Sequence, residues 1–152
     1  RGYAALEVWV LSDVKIDYSQ KWLNNHWRTI QSGYGKAPFY EYFSDQLHDE
    51  LFRKHEFLYD LNRALLTLCL KWLKWNIPVR ETESYEKTTK EGIADLRSAI
   101  HPKKGEVAQS FYQPAVYYQV FGSKFVQNLS LIDLIFCEGP GARAIVRASA
   151  KK

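Results

Sequence analysis

Apolar positions along the chain fall mostly at helical spacing. Leu23, Trp27, Ile30 and Tyr34 recur at i, i+4, i+7 and i+11, which predicts an amphipathic helix over 19–34 with Ser19 as its N-cap. Gly33 and Gly35 close it, and Pro38 opens the next segment from a position where its missing N–H costs nothing. Phe39, Phe43, Leu47 and Leu51 repeat every four residues and predict a helix over 38–53, with a break expected near Ser44-Asp45. The strongest periodicity follows. Leu58, Leu61, Leu65, Leu68, Trp72 and Trp75 alternate three- and four-residue steps, and Leu66, Cys69 and Leu73 widen the stripe. This predicts a central, buried helix near 56–76, stopped by Asn76-Ile77-Pro78.

A second pattern interrupts the helices. Val14, Ile16 and Tyr18 alternate with Lys15 and Asp17, and Leu6 to Val10 is a further apolar run, so 4–18 reads as strand. Residues 79–83 read as a short strand, and Val116 to Phe121 as another from its β-branched and aromatic content. Asn128 or Ser130 then caps a helix bearing Leu131, Leu134 and Ile135; Gly139 ends it, and Pro140 starts a last one. The expected fold class is α/β or α+β: a helix-rich single domain over 1–152 with a small sheet.

Composition narrows this picture. At 152 residues with 46% apolar and 25% charged side chains, the chain has enough material for one packed core. The longest nearly apolar run, Ala64 to Leu70, falls far short of the about 20 residues that span a bilayer. No signal-peptide layout is present, and two cysteines cannot build a disulfide framework, so a reduced, cytoplasmic setting is expected. The chain has no methionine and begins at Arg1, which reads as a fragment, a processed product or a sequence with residues absent. Residues 101–152 carry 7 basic and 3 acidic side chains, a surplus equal to the net +4 of the whole. That is a modest basic patch without the dense stripe or module of a nucleic-acid binder, so no nucleic-acid partner is expected.

Chemistry-bearing residues are few. There is no nucleophile elbow, and Cys69 and Cys137 read as buried small residues. His48-Asp49-Glu50 with His55-Glu56 is the best local metal grouping, but its histidines stand two turns apart instead of at i, i+4; a solvated charged face is the reading preferred, with no metal or cofactor expected. His26, beside Trp22 and Trp27, is either a general base or a satisfied boundary histidine. Arg97, His101, Lys103 and Lys104 form the densest cationic group, suited to a phosphate or carboxylate unless they merely solubilise a loop. Gly139-Pro140-Gly141 before Arg143 is helix punctuation more than an anion cradle, since Glu138 opposes it. Asp133, in an otherwise hydrophobic helix, needs a partner: Arg97 in an ion pair, or a catalytic histidine that it orients.

Several islands together carry a resemblance. They are Trp22…His26-Trp27…Ser32…Tyr34…Pro38-Phe39…Tyr42, then Asp95-Leu96-Arg97…Ile100-His101-Pro102-Lys103, then Tyr117-Tyr118-Gln119-Val120-Phe121, then Asn128 to Phe136 with Gly139-Pro140. Their order and spacing resemble the WbqC-like protein family of bacterial polysaccharide clusters, from about Val14 to Ala144. Against that pattern, a strand–helix–strand portion before Arg1 is missing, and the chain runs short between Phe125 and Asn128. The resemblance implies a role in O-antigen or other surface-glycan biosynthesis. One reading is a transferase that adds an aminoacyl group, such as glycine, to a sugar-nucleotide or lipid-linked sugar precursor. The other is a non-catalytic glycan- or partner-binding subunit. On the first, chemistry makes His26 and His101 the catalytic candidates and gives Arg97 and Lys103 the phosphate. Tyr34, Tyr117, Tyr118 and Gln119 would line the substrate pocket, with Asp133 behind them.

Overall fold

The computed structural model describes residues 11–82, 87–88, 91–95 and 112–150. After a 3-10 turn at Leu11–Asp13 come α1 (Trp22–Tyr34), α2 (Tyr40–Phe52) and α3 (Leu58–Trp72). Then follow α4 (Leu131–Glu138), a 3-10 turn at Gly139–Gly141, and α5 (Ala142–Ala148). The helical periodicities therefore place α1, α2 and α3 in register with the expected spans. Their ends differ. Lys21, not Ser19, occupies the N-cap of α1, because Asp17 Oδ1 takes the Ser19 N–H at 2.7 Å in a turn and Trp22 Nε1 donates to the Asp17 carbonyl. The helix α2 runs unbroken through Ser44, which is buried.

The expected small sheet is not there: among the described residues no strand forms, only two isolated antiparallel bridges, Lys15 to Phe57 and Tyr112 to Ala150. Around Lys15 the alternation is real, with Val14, Ile16 and Tyr18 half-buried between exposed Lys15 and Asp17. The segment pairs with the α2–α3 turn through Ile16 N–H to the Glu56 carbonyl (2.9 Å) and Leu58 N–H to the Val14 carbonyl (2.8 Å), and then runs out of partner. Residues 116–121 lie against α4, and a helix has no free ladder to offer an extended neighbour. Residues 79–82 have no regular structure, while residues 4–10 and 83 lie outside the described residues.

The centre of the core is also elsewhere than expected. Within α3 only Leu61 is buried; Leu65 and Leu68 are half-buried, and Leu66 is 47% exposed. A long stripe on one face of a helix describes a helix that covers a core. In α4, by contrast, Asp133, Leu134, Ile135, Phe136 and Cys137 are buried in succession, as expected of a helix that is apolar all round. It packs against α2, α3 and α5, while Tyr34 and Tyr40 bring their rings to Phe136 at 5.4 and 5.2 Å. Gly139 lets the chain leave α4: its φ is +51°, and a Cβ there would strike the Phe39 ring. The Phe39 N–H meanwhile bonds the Phe136 carbonyl at 2.9 Å, tying the α1–α2 turn to the end of α4.

Candidate functional site

Between Tyr112 and α4 the chain forms an extended strap, held down chiefly by side chains. Gln119, itself buried, works like a strand partner for Val126: its Oε1 accepts the Val126 N–H at 2.8 Å and its Nε2 donates to the Val126 carbonyl at 2.9 Å. The Tyr118 N–H donates to Glu138 Oε1 (3.1 Å) and the Ala115 N–H to Ser149 Oγ (3.0 Å). Phe121 rests edge-on to Tyr34, 5.1 Å between ring centres.

Beneath the strap lies a carboxylate with no exposure to solvent. Asp133, in the first turn of α4, accepts the Tyr117 hydroxyl at 2.5 Å and Gln119 Nε2 at 3.0 Å, both on Oδ2. Gln119 Nε2 also approaches the Tyr117 hydroxyl at 3.2 Å, so three groups share one donor set. Oδ1 has no hydrogen-bond partner among the described residues. Burial first, and then the bond to Asp133, raise the Tyr117 phenol well above its ordinary value. Tyr34 is raised in the same direction by burial and then by the Asp133 charge. Tyr117 is thus held protonated, as the donor to Asp133.

Tyr117 also lines a cavity of about 240 Å³ between the strap and the α4–α5 corner. Tyr112, Phe125, Leu134 and Ile145 give it apolar and aromatic walls, and Asn128, Ser130 and Ser149 supply hydroxyl and amide groups. Phe125 stands edge-on to Tyr117, 5.2 Å between ring centres. Such a lining fits a ring with one apolar face and a polar rim.

Of the site residues read from sequence, the fold brings together Tyr34, Tyr117, Gln119 and Asp133. Tyr118 points away, 64% exposed. His26 stands exposed on α1 with its ring edge-on to Trp22 at 6.5 Å, eight residues and about 12 Å along the helix from Tyr34. Arg97, His101, Lys103 and Lys104 lie outside the described residues. The partners of Asp133 seen here are a phenol and an amide, where an arginine or a histidine was expected. His48 is packed between aromatics, stacked on Phe52 at 4.2 Å and edge-on to Trp27 at 4.9 Å, while His55 pairs with Glu50. No group of three His, Cys, Asp or Glu residues among those described could hold a metal ion. Cys137 is buried and Cys69 half-buried, and burial raises both thiols. Reading the sequence missed Tyr112, Phe125 and Ser149; they come from separate segments, and no spacing marks them.

A helical domain with a side-chain-fastened strap over a buried carboxylate is the class that this geometry defines. The chain belongs to the WbqC-like protein family, whose model matches residues 7–104. No curated protein and no solved structure matches the chain. His26 and Tyr34 fall inside the family match, whereas Tyr117, Gln119 and Asp133 lie beyond it. Among the described residues, no helix is long and apolar enough to cross a membrane.

Proposed function

We propose that this WbqC-like protein serves bacterial surface-glycan biosynthesis, O-antigen included, by holding a sugar-bearing precursor in the cavity beneath the strap. The observation that carries the reading is the lining of that cavity: the aromatic residues Tyr112, Tyr117 and Phe125 beside the polar residues Asn128, Ser130 and Ser149. A pyranose ring asks for apolar contact on its C–H face and hydrogen bonds around its edge. Transfer of an aminoacyl group, such as glycine, to the bound sugar is the finer form of the proposal. It assigns His101 to proton transfer, and Arg97 and Lys103 to the phosphate of an activated, cytoplasmic sugar precursor.

One observation favours the second reading, a binding subunit without its own chemistry. Among the described residues, the ionisable groups on the cavity wall are the phenols of Tyr112 and Tyr117, and the latter donates to Asp133. His26, the other base candidate, is on the exposed face of α1. Saturation-transfer NMR on the full chain, with free sugars, sugar nucleotides and nucleotides alone, tests the site. Sugar-ring protons should receive saturation, and Phe125→Ala should abolish it. Saturation confined to the nucleotide, or unchanged by Phe125→Ala, would put the sugar elsewhere. Arg97→Ala and Lys103→Ala then separate the readings: a transferase loses its preference for phosphate-bearing sugars, while a neutral-glycan binder does not notice.

A further inference from the structure

A second site candidate lies on α3. Its residues Asp60, Arg63, Ala64, Thr67, Leu68 and Lys71 share one face and line an open groove of about 500 Å³. The other wall is the end of α2 and the turn after it: Glu50, Arg53 and His55. Within this wall Glu50 Oε1 and His55 Nε2 are 2.8 Å apart, and their side chains are only 13% and 16% exposed. The turn is built to make that pair. Lys54 takes φ +58°, unusual for a residue with a Cβ, and the Tyr18 hydroxyl donates to the His55 carbonyl at 3.0 Å. A carboxylate and an imidazole so fixed, yet reaching the same groove, differ from the freely solvated charges expected of this stretch.

The charges around the groove are sorted. Asp60 is in the first turn of α3, and Lys71 is in its last, eleven residues or about 16 Å away. Glu50 is engaged by His55 and, at 3.4 Å, by Arg53. Arg53 stands at the near end, and Arg63 and Lys71, about 12 Å apart along α3, are the cations of the middle and far end. Arg63 makes a 2.6 Å pair with Glu81, with both side chains about half exposed, a surface pair of the weak and exchangeable kind. We propose that this groove binds a phosphate or diphosphate group, gripped by Arg63 and Lys71 once the anion replaces Glu81 as the partner of Arg63. Guanidinium forks match pairs of phosphate oxygens, and a lysine adds a point charge between them. The volume accommodates a diphosphate and an attached small group, not a nucleic-acid duplex. The site is separate from the cavity beneath the strap and does not depend on its occupant.

The test is calorimetric titration of the full chain with inorganic pyrophosphate at low ionic strength, with the His55 ring signals followed by NMR in parallel. Saturable binding should shift the His55 resonances. Arg63→Gln and Lys71→Gln should each weaken binding about tenfold or more, as expected when a charge-assisted contact is lost. Lys124→Gln, on the exposed strap, should leave binding unchanged, and unchanged urea midpoints show that all three variants fold. Co-sedimentation with phosphatidic acid vesicles, against neutral vesicles, identifies the source of the phosphate. Pelleting lost in the same variants means a lipid-borne phosphate, and pyrophosphate binding without pelleting means a soluble one. Absence of saturable pyrophosphate binding, or binding that both Arg63→Gln and Lys71→Gln leave intact, overturns the proposal. Neither variant should alter saturation of sugars by Phe125, so failure here and failure of the sugar site read out separately.

Discussion

Substitutions at Asp133 distinguish a carboxylate kept for its charge from one kept for its lone pairs. Both hydrogen bonds that it accepts fall on Oδ2, and Oδ1 receives none from the described residues. Asp133→Asn can therefore leave its oxygen where Oδ2 is and place its NH₂ where Oδ1 is. The two bonds survive as neutral ones, and a buried charge disappears. Each charge-assisted bond weakened costs roughly 1 kcal/mol, and relief of burying a charge offsets part of that. The expected loss is at most about 1 kcal/mol. Asp133→Ala is different, because it strands the Tyr117 hydroxyl and one hydrogen of Gln119. A buried donor left unmet costs about 1–3 kcal/mol, and Gln119 keeps Val126 as a second acceptor, so about 3 kcal/mol in all is expected. Tyr117→Phe should fall between, at about 2 kcal/mol, since Asp133 then keeps one donor. Urea unfolding followed by tryptophan fluorescence gives the three values, provided the slopes agree. Asp133→Asn as damaging as Asp133→Ala would refute the reasoning, and would mean that a cation pairs with Asp133.

Two further outcomes follow from the same core. The raised phenols of Tyr34 and Tyr117 contribute stability that is fully present below the ordinary tyrosine value of about 10 and is lost as pH rises from there toward the folded values. The urea midpoint should fall gently above about pH 8, where the raised thiols of Cys69 and Cys137 begin to count, and more steeply above about pH 9, and the steeper part should shrink in the Tyr34→Phe/Tyr117→Phe double variant; an undiminished fall would place the responsible group elsewhere. If α4 is the centre of the core, Phe136→Ala should cost about 3–5 kcal/mol and Ile135→Ala about 2–5 kcal/mol, whereas Leu66→Ala on the exposed side of α3 should stay within about 1 kcal/mol. Equal losses at Leu66 and Ile135 would return the core to α3.

Helices were legible because their signal is local. The spacing of Leu23, Ile30, Phe43, Leu47 and Leu51 places five residues that the structure buries. Burial is another matter, because the longest stripe does not mark the deepest helix. Five apolar residues on one face of α3 need only one covered side, and Leu66 shows the other side open to solvent. The eight residues of α4 are too few for a convincing stripe, but Leu131, Ile132, Leu134, Ile135, Phe136 and Cys137 leave it no polar face. That all-round apolarity was the sequence signal for the centre. Strand content failed for another reason. Alternation at 14–18 reports which side faces inward, and that much held at Ile16 and Tyr18, but a sheet needs a second extended segment to pair with, and neither this alternation nor the β-branched and aromatic content of 116–121 supplies one.

The candidate site was legible at one residue. An aspartate in an apolar helix announces that it must be met, so Asp133 stood out, but its partners come from a strap fourteen and sixteen residues earlier in the chain. A formal charge suggested an arginine or a histidine. Among the described residues it is met by Tyr117 and Gln119, whose hydrogens reach Oδ2 without adding a second buried charge to desolvate, while Arg97 and His101 lie outside them. Gln119 then spends its remaining oxygen and hydrogen on Val126, fastening a strap that has no ladder of its own. Asp133, through these two residues, fixes where Tyr117 sits, and Tyr117 is a wall of the cavity. A polar residue in the most buried helix thereby sets the shape of the surface that meets a ligand. Stability and binding at this corner should accordingly move together when Gln119 or Asp133 is changed, while substitutions at Tyr118, on the outer face of the same strap, should move neither.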